Sequence, residues 1–141
     1  MPKLLLKTAA TLNFLLAAGH LLCLFRLDAA FRLYRIEPFM DRLAACWPPL
    51  PGLITVGVAC GLALCALYAL SAAGTIRPLP LLRPAVYAIG SLFLLRALGG
   101  AAAFIRNGTL TPAELAATVI AGTIGTLYLV GGIRTFQTIR S

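Results

Sequence analysis

The sequence predicts an all-α integral membrane protein: four transmembrane helices in an antiparallel bundle, with a short interfacial helix between the first and second. Three observations predict it. The 141-residue chain is 60% hydrophobic and 11% charged, where a soluble domain is about 25% charged. Four apolar segments, near 4–25, 53–73, 82–105 and 112–133, have the length of roughly 20 residues that crosses a 30 Å hydrocarbon core. The basic residues stand at the ends of these segments, where membrane proteins place them. The chain, residues 1–141, reads as one membrane domain with no soluble domain and no low-complexity linker.

Segment one follows Lys3 and contains Lys7, so it could pass for a secretory signal. Its apolar run is longer than a signal core, and the expectation is a retained helix. Asn13 and His20 share one helical face with Ala9, Ala10 and Ala17; Leu5, Leu12 and Leu16 lie elsewhere. The small and polar stripe should face other helices and the leucines lipid.

The connection over 26–52 contains a short helix at about 38–46, with Pro38 in its first turn. Ile36, Phe39, Met40, Leu43 and Trp47 fall on one side, and Glu37, Asp41 and Arg42 on the other. That pattern suits a helix lying in the interface plane, with Tyr34, Phe39 and Trp47 as belt aromatics. A partner-binding surface is the other use. Pro48, Pro49, Pro51 and Gly52 stiffen the return into the membrane.

Segment two carries Gly57 and Gly61 four apart, with Ala59, Ala63 and Ala66. Small residues at this spacing let backbones approach, within a chain or between chains. Segment three places Arg96 near its middle, with Gly99, Gly100 and Ala103 on the same side. An arginine at that depth costs at least about 2.5–3.5 kcal/mol and normally faces protein or a wet cavity. Asn107-Gly108-Thr109 matches a glycosylation acceptor and reads as a chance match in a turn. Segment four opens with Thr111, Pro112 and Glu114, the spacing of a capping box. Ala117, Ala121 and Gly125 form a second small-residue ladder, and Thr123, Thr126 and Tyr128 are its interior polar groups.

With both termini on one side, that side holds Lys3, Lys7, Arg77, Arg83, Arg134 and Arg140, against Arg26, Arg32, Arg35, Arg42 and Arg106 opposite. By basic count this favours cytoplasmic termini, in a multi-pass protein of a bacterial-type inner membrane. The net charge of +8 then reads as topology signal and contact with anionic lipids. Nucleic acid is not an expected partner, since no basic element carries interleaved stacking aromatics.

Four cysteines form no CxxC motif, which argues against disulfide exchange. Cys23 and Cys46 could form a bridge near the outer surface; the alternative is two free thiols. Cys60 and Cys65 read as packing residues. One histidine with no acid inside the membrane is a poor metal set, and no catalytic pair or cofactor motif stands out, so no metal, cofactor or catalytic residue is expected. What remains is a polar group at matching depth: Arg96, His20, Asn13 and Thr123, with Gly61 nearby. Arg96 could snorkel to Asp28, Glu37 or Asp41, bind carbonyls and Asn13, or hold an anion such as a lipid phosphate, a substrate or a partner's carboxylate.

Asn13-Phe14-Leu15-Leu16-Ala17-Ala18-Gly19-His20-Leu21 resembles the first helix of DoxX-like proteins, small four-helix proteins of bacterial inner membranes. The resemblance covers the segment layout of most of the chain. It implies a four-helix bundle and a redox or quinone-linked partner, and it transfers no catalytic residue. Two functions follow. One is an accessory or interaction subunit of a membrane complex, or a self-associating bundle, packing through Gly57, Gly61, Gly99, Gly100, Ala121 and Gly125. The other is a binder or carrier of an anionic amphiphile, lipid or quinone-like, with a buried Arg96 as counter-charge. A redox-linked enzyme subunit is a remoter third. Expected partners are membrane lipids and other membrane subunits or the protein itself.

Overall fold

A computed structural model describes residues 1–138; Arg140, counted above among the basic residues, lies outside them. Among the described residues the chain is helical, with no strand. Helix α1 is Pro2–Cys23, followed by a 3-10 turn at Leu24–Arg26 and a short α2 at Leu27–Leu33. Helix α3 is Glu37–Cys46, α4 Leu50–Ala72, α5 Leu82–Asn107 and α6 Pro112–Thr138. Four helical stretches are long and apolar enough to cross a membrane: Pro2–Leu33, Leu50–Ala72, Leu82–Asn107 and Pro112–Gln137.

Local sequence explains most boundaries. Proline sits at the start of α1, α3 and α4 (Pro2, Pro38, Pro51) and opens α6 as Pro112, where its missing N–H has no helical partner to lose. Gly108 closes α5 at φ 71°, its N–H donating to the Phe104 carbonyl at 2.8 Å; glycine takes this left-handed backbone without a Cβ penalty. The expected capping box forms. The Thr111 N–H and hydroxyl both donate to Glu114 Oε2, at 2.7 and 2.8 Å, and the Glu114 N–H donates back to Thr111 Oγ1 at 3.2 Å. Between α4 and α5 the chain is pinned by α4 itself. Ser71 Oγ donates to the Arg77 carbonyl and accepts from the Leu79 N–H, and Tyr68 donates to the Pro80 carbonyl.

Helix α2 is an addition to the sequence reading, which placed one helix in this connection. The axis breaks at Arg26, with φ −147° and ψ 50°, so α1 and α2 are separate rods. Helix α3 has no buried residue: Phe39 is 60% and Trp47 52% exposed, and Met40 and Leu43 are half-buried.

The packing order decides which faces meet. Helix α5 lies along α6, α6 also along α1, and α1 along α4; α4 and α5 touch less closely. Helices α1 and α5 share no such seam; each packs on α6 and on α4 instead. Along the α5–α6 seam Gly100 packs on Thr118, Leu94 on Gly125, Gly90 on Tyr128 and Leu129, and Val86 on Gly132. Numbers fall on α5 as they rise on α6.

The core is built largely of small residues. Ala9, Ala10, Ala59, Ala66, Ala69 and Ala121 are buried around a few larger side chains: Leu6, Val86, Ile124 and Tyr128. With no water to expel, membrane helices gain from close backbone approach, which small residues allow. Most of the stripe on α1 faces inward, with Ala9, Ala10, Asn13 and Ala17 buried and His20 half-buried. The leucines expected to face lipid are not exposed: Leu12 and Leu16 pack against the core and Leu5 is half-buried, while Leu6 is wholly enclosed.

Candidate functional site

Two polar features stand apart from the alanine core. The first is inside the bundle and centres on Tyr128, sixteen residues into α6 from Pro112. Its hydroxyl donates to the Cys65 carbonyl of α4 at 2.6 Å and accepts from Asn13 Nδ2 of α1 at 3.3 Å. Its ring stacks on Phe93 of α5, centroids 6.4 Å apart and planes 17° apart. One side chain of α6 thus meets the other three long helices. Asn13 Nδ2 also donates to the Ala9 carbonyl at 3.0 Å, while Asn13 Oδ1 is buried without a partner among the described residues.

Sequence reasoning grouped Tyr128 with Thr123 and Thr126 and missed its role. Thr123 and Thr126 are exposed, each donating to the carbonyl four residues back, at Val119 and Gly122. A depth signal was available. Membrane tyrosines favour the interfaces, and one far from both ends needs an acceptor for its hydroxyl.

The second feature is an open cleft of about 210 Å³ between α5 and α6, lined by Arg96, Gly99, Gly100, Ala103, Leu110, Glu114 and Thr118. Leu110 lies in the connection beyond α5, so the cleft runs from mid-helix up to the turn. Glu114 Oε2 is taken by Thr111, and Thr118 Oγ1 donates to the Glu114 carbonyl at 2.8 Å. Arg96 and Arg35 both lie within electrostatic range of Glu114. Arg96 nevertheless forms no hydrogen bond or ion pair with the described residues.

The expected polar group of Arg96, His20, Asn13 and Thr123 is not assembled. Arg96 and Thr123 are exposed, not buried, and His20 is half-buried with Nδ1 on the Leu16 carbonyl at 2.8 Å. Of the four only Asn13 is enclosed. Position along the helices did not bring them together, because α5 packs chiefly on α6 and α1 chiefly on α4 and α6. The carboxylates offered to Arg96 were Asp28, Glu37 and Asp41; the one that lines its cleft is Glu114, from the first turn of α6.

The packing residues divide in the same way. Gly100, Ala121 and Gly125 are buried, the two glycines in the α5–α6 seam. Gly57, Gly61 and Gly99 are exposed, and a Cβ at any of them would meet nothing within 4 Å. Cys23, Cys46, Cys60 and Cys65 are all free thiols, so the candidate Cys23–Cys46 bridge is not formed in this structure. No cluster of three or more metal-ligating side chains occurs among the described residues.

The fold and its apolar helices define a class, the small helical membrane bundle. No protein-family model, curated protein or solved structure matches the chain.

Proposed function

We propose that this chain is an antiparallel four-helix bundle of a bacterial-type inner membrane that works as an interaction subunit, associating with another membrane subunit or a second copy of itself. The observation that carries this reading is the outward placement of Gly57 and Gly61. They sit on the most apolar span, mean hydropathy 2.3, and no side chain of the chain fills the space beside them. Lipid tails are as apolar as leucine, so a bare glycine ridge gains nothing from lipid and much from a second helix at close range. The DoxX-like resemblance points to the same layout.

Cys60 offers the test, since it is exposed on α4 between these glycines. In membranes carrying the full chain with Cys23→Ser and Cys46→Ser, mild oxidation should trap a Cys60-linked homodimer. Gly61→Leu should reduce that product severalfold. A larger Cys60-linked adduct would identify a different subunit as the partner. Monomer alone, with no co-purifying protein, overturns the reading.

Helix α3, with no buried residue, lies in this reading on the membrane surface, and both termini are cytoplasmic. A reporter active only in the cytoplasm, fused to the C-terminus, should be active; a silent reporter reverses the orientation.

A second reading is favoured by the open cleft: Arg96 as the counter-charge for an anionic amphiphile, lipid or quinone-like. A redox-linked subunit is a remoter third.

A further inference from the structure

Arg96 presents a chemical problem that the bundle does not solve. It is eleven residues from Asn107, the end of α5, about 16 Å along the axis at 1.5 Å per residue. A guanidinium has five N–H donors and stays charged. Here none of them meets an acceptor among the described residues. The side chain is exposed, yet it lines a cleft that opens at the α5–α6 turn, where Leu110 and Glu114 stand. An arginine so placed snorkels along the cleft toward the headgroup level.

The cleft is shaped by what it lacks. Gly99 and Gly100 leave its α5 wall bare, and a Cβ at Gly99 would meet only open space. On the α6 wall Glu114 keeps Oε1 free, because its capping contacts use Oε2 alone. A positive group therefore lies deep and a negative group lies shallow. A glycerophospholipid with an amine headgroup has the complementary order, its phosphodiester nearer the acyl chains and its ammonium farther out.

We propose that the Arg96 cleft binds an amine-bearing glycerophospholipid, with Arg96 on the phosphodiester and Glu114 Oε1 on the ammonium. The guanidinium fork suits phosphate, donating two parallel N–H hydrogen bonds to its oxygens. Affinity rests on Arg96, and headgroup choice on Glu114. Glu114 is solvent-accessible, so the choice amounts to a few-fold, the scale of one exposed ion pair. The proposal rests on the helices crossing a bilayer and on Arg96 as a counter-charge; it is independent of association through Gly57 and Gly61.

The test is native mass spectrometry of the full chain, extracted from vesicles of equal phosphatidylethanolamine and phosphatidylglycerol. Wild type should retain phosphatidylethanolamine over phosphatidylglycerol by about three- to five-fold, what one exposed ion pair supplies. Glu114→Gln preserves the capping box, in which glutamine also serves, and should bring that ratio to one or below by lowering retained phosphatidylethanolamine without lowering phosphatidylglycerol. Arg96→Gln should lower both lipids together. Gly99→Leu, whose Cβ has nothing within 4 Å in the fold, should do the same by filling the cleft. Circular dichroism and detergent stability matching wild type establish that the variants are folded. Equal retention of the two lipids by wild type, with loss in Arg96→Gln, overturns the amine assignment and leaves the anionic-amphiphile reading standing. Undiminished lipid in Arg96→Gln overturns both, while a Cys60-linked dimer in the same preparation would leave the interaction reading intact.

Discussion

Gly125→Ala should destabilise the bundle by about 1–3 kcal/mol, the usual cost of forcing a methyl into a packed contact. The added Cβ would lie 2.8 Å from Leu94 Cγ and 2.9 Å from the Gly90 carbonyl oxygen. A leucine tip can rotate away, but a backbone oxygen cannot, so α5 and α6 must separate. Helix propensity works the other way and favours alanine by roughly 0.5–1 kcal/mol. The clash outweighs it here because the obstacle is main chain. Gly57 is the matched control. A Cβ there meets nothing within 4 Å, so Gly57→Ala should leave the isolated protein unchanged or slightly more stable. The midpoint of unfolding in mixed micelles of increasing SDS content, followed by circular dichroism, compares the two. Coincident midpoints would mean that the α5–α6 seam is looser than described.

Tyr128→Ala should have the largest effect of any single substitution, about 3–5 kcal/mol, as a wholly buried aromatic is replaced by a cavity. The loss includes the stack on Phe93 and both hydrogen bonds of the hydroxyl. Tyr128→Phe isolates the polar part. Side-chain hydrogen bonds between membrane helices average about 0.6 kcal/mol and reach about 1.7 kcal/mol. The short 2.6 Å bond to the Cys65 carbonyl puts this substitution toward the upper value. Asn13→Ala should cost less than its burial suggests, because it also removes Oδ1, an acceptor left without a partner. A double-mutant cycle between Asn13→Ala and Tyr128→Phe should show coupling of about half a kcal/mol or more. Strict additivity would remove Asn13 from the bridge and leave Tyr128 tied to α4 alone.

These two residues show how unevenly structure can be read from the chain. Gly125 was legible as a small-residue position, since the ladder Ala117, Ala121, Gly125 repeats every four residues on one face. The inward stripe of α1 was legible for the same reason. Gly57 and Gly61 carry an equally good pattern, yet they point outward. A four-residue spacing says that a helix can be approached closely, and it holds equally for either side of a bundle. Arg96 illustrates the other limit. Its place along α5 can be counted from the chain, but that fixes one coordinate of three. Asn13 and His20 stand on a helix that shares no such seam with α5.

The apolar spans, their proline starts, the Gly108 stop and the Thr111–Glu114 cap can all be derived from the chain, because each depends on residues within a turn or two of one another. The order of the helices cannot, since every span is apolar enough to sit beside any other and lipid imposes no preference. That order is set by where the glycines of α5 and α6 allow backbones to touch. It alone puts Tyr128 at the centre of the bundle, leaves Arg96 on its flank beside Glu114, and turns Gly57 and Gly61 outward.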